Sequence, residues 1–153
     1  MQIDSRLKYW VIAVGFIALV GCPTISPYDQ RSYELATATK AQALAVLDNV
    51  GSPYSAHASE VEALKLEVEK AYEYAKGQPK NEVVVGMWAE IRGYVYSFEK
   101  KEWQVNDNGN LYSTLNLWKR EGVLNVGFLP EKKKQIAASF NQVIALESAK
   151  IKQ

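Results

Sequence analysis

Val61, Leu64, Val68, Ala71 and Ala75 recur at heptad spacing between residues 55 and 76, among interleaved glutamates and lysines. Only a helix brings such a set onto one face, because side chains three and four positions apart stack on the same side of a 3.6-residue turn. Ser55 reads as the N-cap, and Gly77 and Pro79 as the stop. On the solvated side Lys65 can pair with Glu69, Glu67 with Lys70, and Glu73 with Lys76. A helix this amphipathic must bury its stripe against others, and that requirement shapes the reading of the rest of the chain.

Residues 28–49 read as a helix ahead of it. Residues 36–47 are alanine-rich, Tyr33, Ala36, Ala43, Leu44 and Leu47 share one face, and Gly51-Ser52-Pro53 ends the run. Behind it, Val84, Trp88, Ile91, Val95 and Phe98 repeat at helical spacing and favour a helix over 81–101, capped by Asn81. Val83-Val84-Val85 and Tyr94-Val95-Tyr96 carry strand propensity instead, and Gly86 and Gly93 weaken a helix. Asn106-Asp107-Asn108-Gly109 is a turn that could close a hairpin between 103–105 and 111–117. A short helix over 110–121 is preferred, because Leu111, Leu115 and Trp118 align and Gly122 caps the end. An apolar connection covers 123–129, and Pro130 opens a last helix with Ile136, Phe140, Val143, Ile144 and Ile151 as its buried stripe. The expected fold is all-α, a small bundle of four or five helices spanning residues 29–153.

The first 21 residues have a different character. Arg6 and Lys8 precede an unbroken apolar run over 9–20, followed by Gly21, Cys22 and Pro23. A basic start, an apolar stretch and a small residue at the end are the layout of a secretory signal. The run is shorter than the 20 or so apolar residues of a comfortable membrane span. Removing 1–21 leaves about 130 residues, enough to bury a core without a metal or disulfide. The leader also carries the whole formal net charge of +1, so the remainder is balanced and offers nucleic acid no basic excess.

Leu19-Val20-Gly21-Cys22 resembles the lipobox of bacterial lipoprotein precursors. The resemblance covers the leader alone; the rest of the chain carries no motif of a named family. It implies a diacylglyceryl group on the Cys22 thiol, cleavage between Gly21 and Cys22, and fatty acylation, such as palmitate, of the new amino group. Thiolate is the good nucleophile for that alkylation, and two or three acyl chains make a stable membrane anchor where one does not. Pro23 stands where an aspartate tends to hold Gram-negative lipoproteins at the inner membrane, so the resemblance implies the outer membrane, with the domain facing the periplasm. Residues 22–28 would then be a short tether, reaching about 20 Å at about 3.3–3.6 Å per residue.

Catalytic chemistry has little to build on. His57 is the only histidine and Cys22 the only cysteine, so neither a zinc set nor an intrachain disulfide is available. His57 reads as a surface or capping residue, and no phosphate loop or nucleophile turn is present. No enzyme activity, metal or cofactor is expected beyond the lipid on Cys22. The middle of the chain is rich in aromatics, and on the helical reading Tyr74 and Tyr96 fall away from the buried stripes. Exposed Tyr and Trp concentrate binding energy, so Tyr74, Tyr96, Trp103 and Tyr112 are the candidate partner-binding face. The expected function is a membrane-anchored, non-catalytic protein-binding or structural module with an envelope protein as partner. The alternatives are an envelope defence or exclusion lipoprotein of mobile-element origin and a peptidoglycan- or glycan-binding module.

Overall fold

A computed structural model describes residues 25–106 and 110–152. Among them are five α-helices, one two-stranded hairpin and two short 3-10 turns, so the chain is an all-α bundle with a single β excursion. The helices are α1 (Gln30–Leu47), α2 (Tyr54–Gly77), α3 (Glu82–Ile91), α4 (Leu111–Glu121) and α5 (Leu129–Ala149). The hairpin strands are β1 (Tyr94–Ser97) and β2 (Glu102–Val105).

Asp29 starts α1: its carboxylate accepts the Arg31 and Ser32 amides at 2.7 and 3.1 Å, satisfying two of the helix's free N–H groups. The buried side of α1 includes Ser32, Leu35, Ala36, Thr39, Ala43, Val46 and Leu47, so it is rotated slightly from the expected face: Tyr33 and Leu44 are only half-buried. In α2 the heptad stripe of Val61, Leu64, Val68, Ala71 and Ala75 is buried as expected. The helix begins one residue ahead of Ser55, after Pro53, and has no side-chain cap. Two expected pairs form, Lys70 with Glu67 at 2.7 Å and Lys76 with Glu73 at 3.0 Å. Lys65 turns to Glu62 instead, because Glu69 is taken by Arg92, just past the end of α3.

The helix expected over 81–101 stops at Ile91. Gly93 adopts a φ of +90°, a left-handed geometry that glycine reaches without penalty, and the chain turns back into β1. Val95 and Phe98, assigned to a buried stripe by their spacing, are exposed. Strand propensity in Tyr94-Val95-Tyr96 outweighed the helical period. The hairpin also differs from the alternative that closed at 106–109: its turn is 98–101, and Tyr96 faces Trp103 across the strands. Asp107, Asn108 and Gly109 lie outside the described residues. The helix expected over 110–121 is present, capped by the Asn110 side chain on the Ser113 amide at 2.8 Å and ended by Gly122 at φ +79°.

One core joins all five helices. α5 packs on α1 and α3, α2 packs on α1, α3 and α4, and Phe140 meets Trp88 edge to face at 5.8 Å. Trp118 closes the far end, its indole N–H donating to the Ser52 carbonyl at 2.9 Å and its ring meeting Tyr54 edge-on. Ile136, Phe140 and Val143 are buried as expected, whereas Ile144 is half-buried and Ile151 is exposed, because α5 ends at Ala149 and the chain tightens into a 3-10 turn. No described helix is long and apolar enough to cross a membrane.

Candidate functional site

The hairpin gathers the exposed aromatics. Tyr96 meets Trp103 at 5.4 Å and Phe98 at 5.2 Å, both near edge to face, and Phe98 at the turn is 86% exposed. Trp103 is 44% exposed on one side, while its indole lies over Gly86 in the middle of α3, 3.5 Å from where a Cβ would stand. A methyl group at 86 would meet the ring at ordinary van der Waals distance, whereas a longer side chain would have to displace it. A shallow recess of about 330 Å³ separates Trp103 from Tyr72 and Lys76 of α2.

An ion-pair cluster secures the hairpin's base. Arg92, just past α3, makes two bonds to Glu69, at 2.8 and 2.7 Å, and stacks 3.9 Å from the Tyr72 ring centre and 5.5 Å from that of Tyr94. Two parallel bonds plus an aromatic face suit guanidinium better than ammonium. Burial disfavours the Arg92 charge, but the Glu69 carboxylate outweighs it and raises the pKa. The Tyr112 hydroxyl donates to the same Glu69 at 2.9 Å. Burial first, then that bond and the Glu69 charge, push the Tyr112 phenol far above its ordinary value of 10. Gly93 accepts the Asn106 amide at 2.7 Å, closing the base.

The four residues expected to form one partner face therefore divide. Tyr96 and Trp103 sit together on the hairpin. Tyr112 is half-buried below its base, with its hydroxyl held by Glu69. Tyr74 lies two residues, about 200°, around α2 from Tyr72, and its hydroxyl donates to Asp29 at 2.7 Å. That bond raises the Tyr74 pKa; burial pushes the Asp29 carboxyl up, but the bonds from Tyr74 and the Ser32 and Arg31 amides leave it below its ordinary 3.8. Phe98, Arg92 and Glu69 were missed as site residues. Helical spacing hid Phe98, and nothing local marks Arg92 and Glu69, which meet across 23 positions.

His57 lies in the first turn of α2, its Nδ1 3.1 Å from Glu60 and its ring beside Trp118. Among the described residues no group of three or more His, Cys, Asp or Glu side chains is placed to hold a metal ion. Leu19, Val20, Gly21 and Cys22 lie outside the described residues, which begin at Ile25. Ser26, assigned by sequence to the tether, is buried. Its amide donates to the Lys80 carbonyl at 2.9 Å and its hydroxyl to Asn81 at 2.8 Å, and it accepts the Lys150 ammonium at 2.7 Å. Lys150 also bonds Asn81 at 3.1 Å and Glu147 at 2.8 Å, an ion pair almost wholly out of water. Asn81, expected as a helix cap, spends its side chain on this cluster and on the Ala75 carbonyl. The fold thus takes hold of the chain four residues after Cys22.

The chain matches no protein-family model, no curated protein and no solved structure.

Proposed function

We propose that this chain is the precursor of a bacterial lipoprotein, anchored through lipid on Cys22, whose helical domain is a non-catalytic binding or structural module at the periplasmic face of the outer membrane. The observation that carries the reading is the Leu19-Val20-Gly21-Cys22 motif, behind a basic start and an apolar run and four residues ahead of the buried Ser26. At about 3.3–3.6 Å per residue those four residues reach about 14 Å. A domain gripped so close to its anchor works at the bilayer surface, where confinement raises its effective concentration beside any envelope partner. The main polar clusters are spent internally: Glu69 on Arg92 and Tyr112, His57 on Glu60, and Lys150 on Glu147. Such networks suit a rigid scaffold.

Metabolic labelling with a fatty-acid analogue tests the anchor. The wild-type chain is expected to incorporate label and fractionate with the outer membrane, and Cys22→Ala to do neither. Label incorporation that survives Cys22→Ala would exclude this cysteine as the attachment point. In-cell cross-linking of the lipidated protein, with mass spectrometry, then identifies the partner; capture of lipid alone would leave the structural role.

A further inference from the structure

The hairpin folds back along α3. It leaves the helix at Gly93, yet Trp103 reaches Gly86 in mid-helix and shares a recess with Lys76 in the last turn of α2. Its turn therefore points toward the end of the bundle where α2 stops and α3 starts. The lengths agree: four strand steps from Tyr94 to Phe98 at about 3.3 Å each cover about the same 13 Å as nine helical steps from Ile91 back to Glu82 at about 1.5 Å each. Ser26 is bonded to Lys80 and Asn81 at that same end, and so is Lys150. Three large apolar side chains are exposed there: Phe98 at 86%, Val83 in the first turn of α3 at 55%, and Ile151 just after Lys150 at 62%. In the turn Phe98 is followed by Glu99, Lys100 and Lys101, with Glu102 beyond them, so the tip is one exposed aromatic ring among balanced charges.

We propose that this end of the bundle rests on the lipid bilayer, with the hairpin tip as a second contact beside the lipidated cysteine: Phe98 enters the interface, and Tyr96 and Trp103 stand at headgroup level. The proposal rests on the anchoring reading above. The occupant follows from where the fold grips the chain: Ser26 is bonded at this same end, and an anchor at Cys22, four residues ahead, brings the membrane within about 14 Å of Ser26. Amphipathic tyrosine and tryptophan rings settle at such interfaces, and lysine stems lie along apolar surface with their ammonium groups in water. The two or three acyl chains on Cys22 would hold the protein at the bilayer; what an inserted Phe98 adds is a second contact that fixes the domain's tilt. With the tip nearly neutral, insertion depends little on lipid charge.

The test uses the purified lipidated protein in vesicles of phosphatidylethanolamine and phosphatidylglycerol, with or without bromine on the acyl chains. Trp103→Phe/Phe98→Trp moves the exposed reporter to the tip, and Trp103→Phe alone is the reference; Trp88 and Trp118 are buried in both. Circular dichroism checks that both fold alike. The expected result is a blue-shifted emission from the tip tryptophan, several-fold quenched by bromolipid, shielded from acrylamide, and equal in vesicles without phosphatidylglycerol. Protein that floats with the vesicles while the tip stays unquenched and open to acrylamide overturns the proposal and leaves the anchor standing. A tip shielded from acrylamide but not quenched by bromolipid also overturns it, in favour of a protein occupant or a second copy of the chain. Protein that does not float with vesicles removes the anchor and this inference together.

Discussion

The Tyr112 hydroxyl is shared between the Glu69 carboxylate at 2.9 Å and the Lys65 carbonyl at 3.2 Å. Its proton is therefore held more tightly in the folded chain than in the unfolded one. Below the ordinary value of 10 both forms keep it and the stabilisation is complete. As pH rises past about 10 the unfolded chain ionises first, so stability falls toward the folded pKa. Urea titrations at about pH 9 and about pH 11 are expected to show this loss, and Tyr112→Phe to reduce it. Asp29 has the opposite sign: its folded pKa is depressed, so its contribution is present above 3.8 and is lost as pH falls through the lower folded value. Tyr74→Phe removes one cause, and the Asp29 carboxyl followed by NMR should titrate closer to 3.8. At the other end of the bundle, Trp118→Phe keeps a ring but strands the Ser52 carbonyl, at an expected cost of about 1–3 kcal/mol read by denaturant unfolding.

At the scale of elements, two glycines decide how the hairpin sits. Gly93 is left-handed, and a Cβ there would stand 3.1 Å from the Asn110 Oδ1, so Gly93→Ala is expected to destabilise by about 1–2 kcal/mol. Gly86→Ala meets Trp103 only at ordinary contact distance and should favour α3 by about 0.5–1 kcal/mol. Gly86→Leu, by contrast, should displace the indole and redden Trp103 emission. The stripe of α2 was legible in the sequence because its five small and branched residues share one face only in a helix, and α4 because Leu111, Leu115 and Trp118 align and Gly122 marks the end. The stretch 81–101 was not, since Val84, Trp88 and Ile91 continue into Val95 and Phe98 at the same spacing. The left-handed Gly93, the strand propensity of Tyr94-Val95-Tyr96 and the packing of the hairpin on α3 together separate the helix from the hairpin. Tyr96 and Trp103 could be picked as exposed aromatics from composition and spacing. Their company with Phe98 could not, because it arises from a register that no local signal specifies.

At the scale of the molecule, one core and one buried ion pair hold distant segments together. Phe140→Ala removes a ring from the centre of the core and is expected to cost about 3–5 kcal/mol. Lys150→Met leaves the buried Glu147 carboxyl without its ammonium partner, with an expected loss of about 3–5 kcal/mol, and Glu147→Leu added to it should restore much of that. Thermal unfolding of the two single variants and the double variant measures the coupling. The cluster also has a mechanical side. Tension applied to the chain ahead of Ser26 enters the fold at a seryl group gripped by the α2–α3 link and by the end of α5. It is thus shared as shear between segments 55 and 124 positions away. The next helix, α1, is spared from being peeled off turn by turn, and a domain fixed by its first residues keeps its whole bundle under strain as one body.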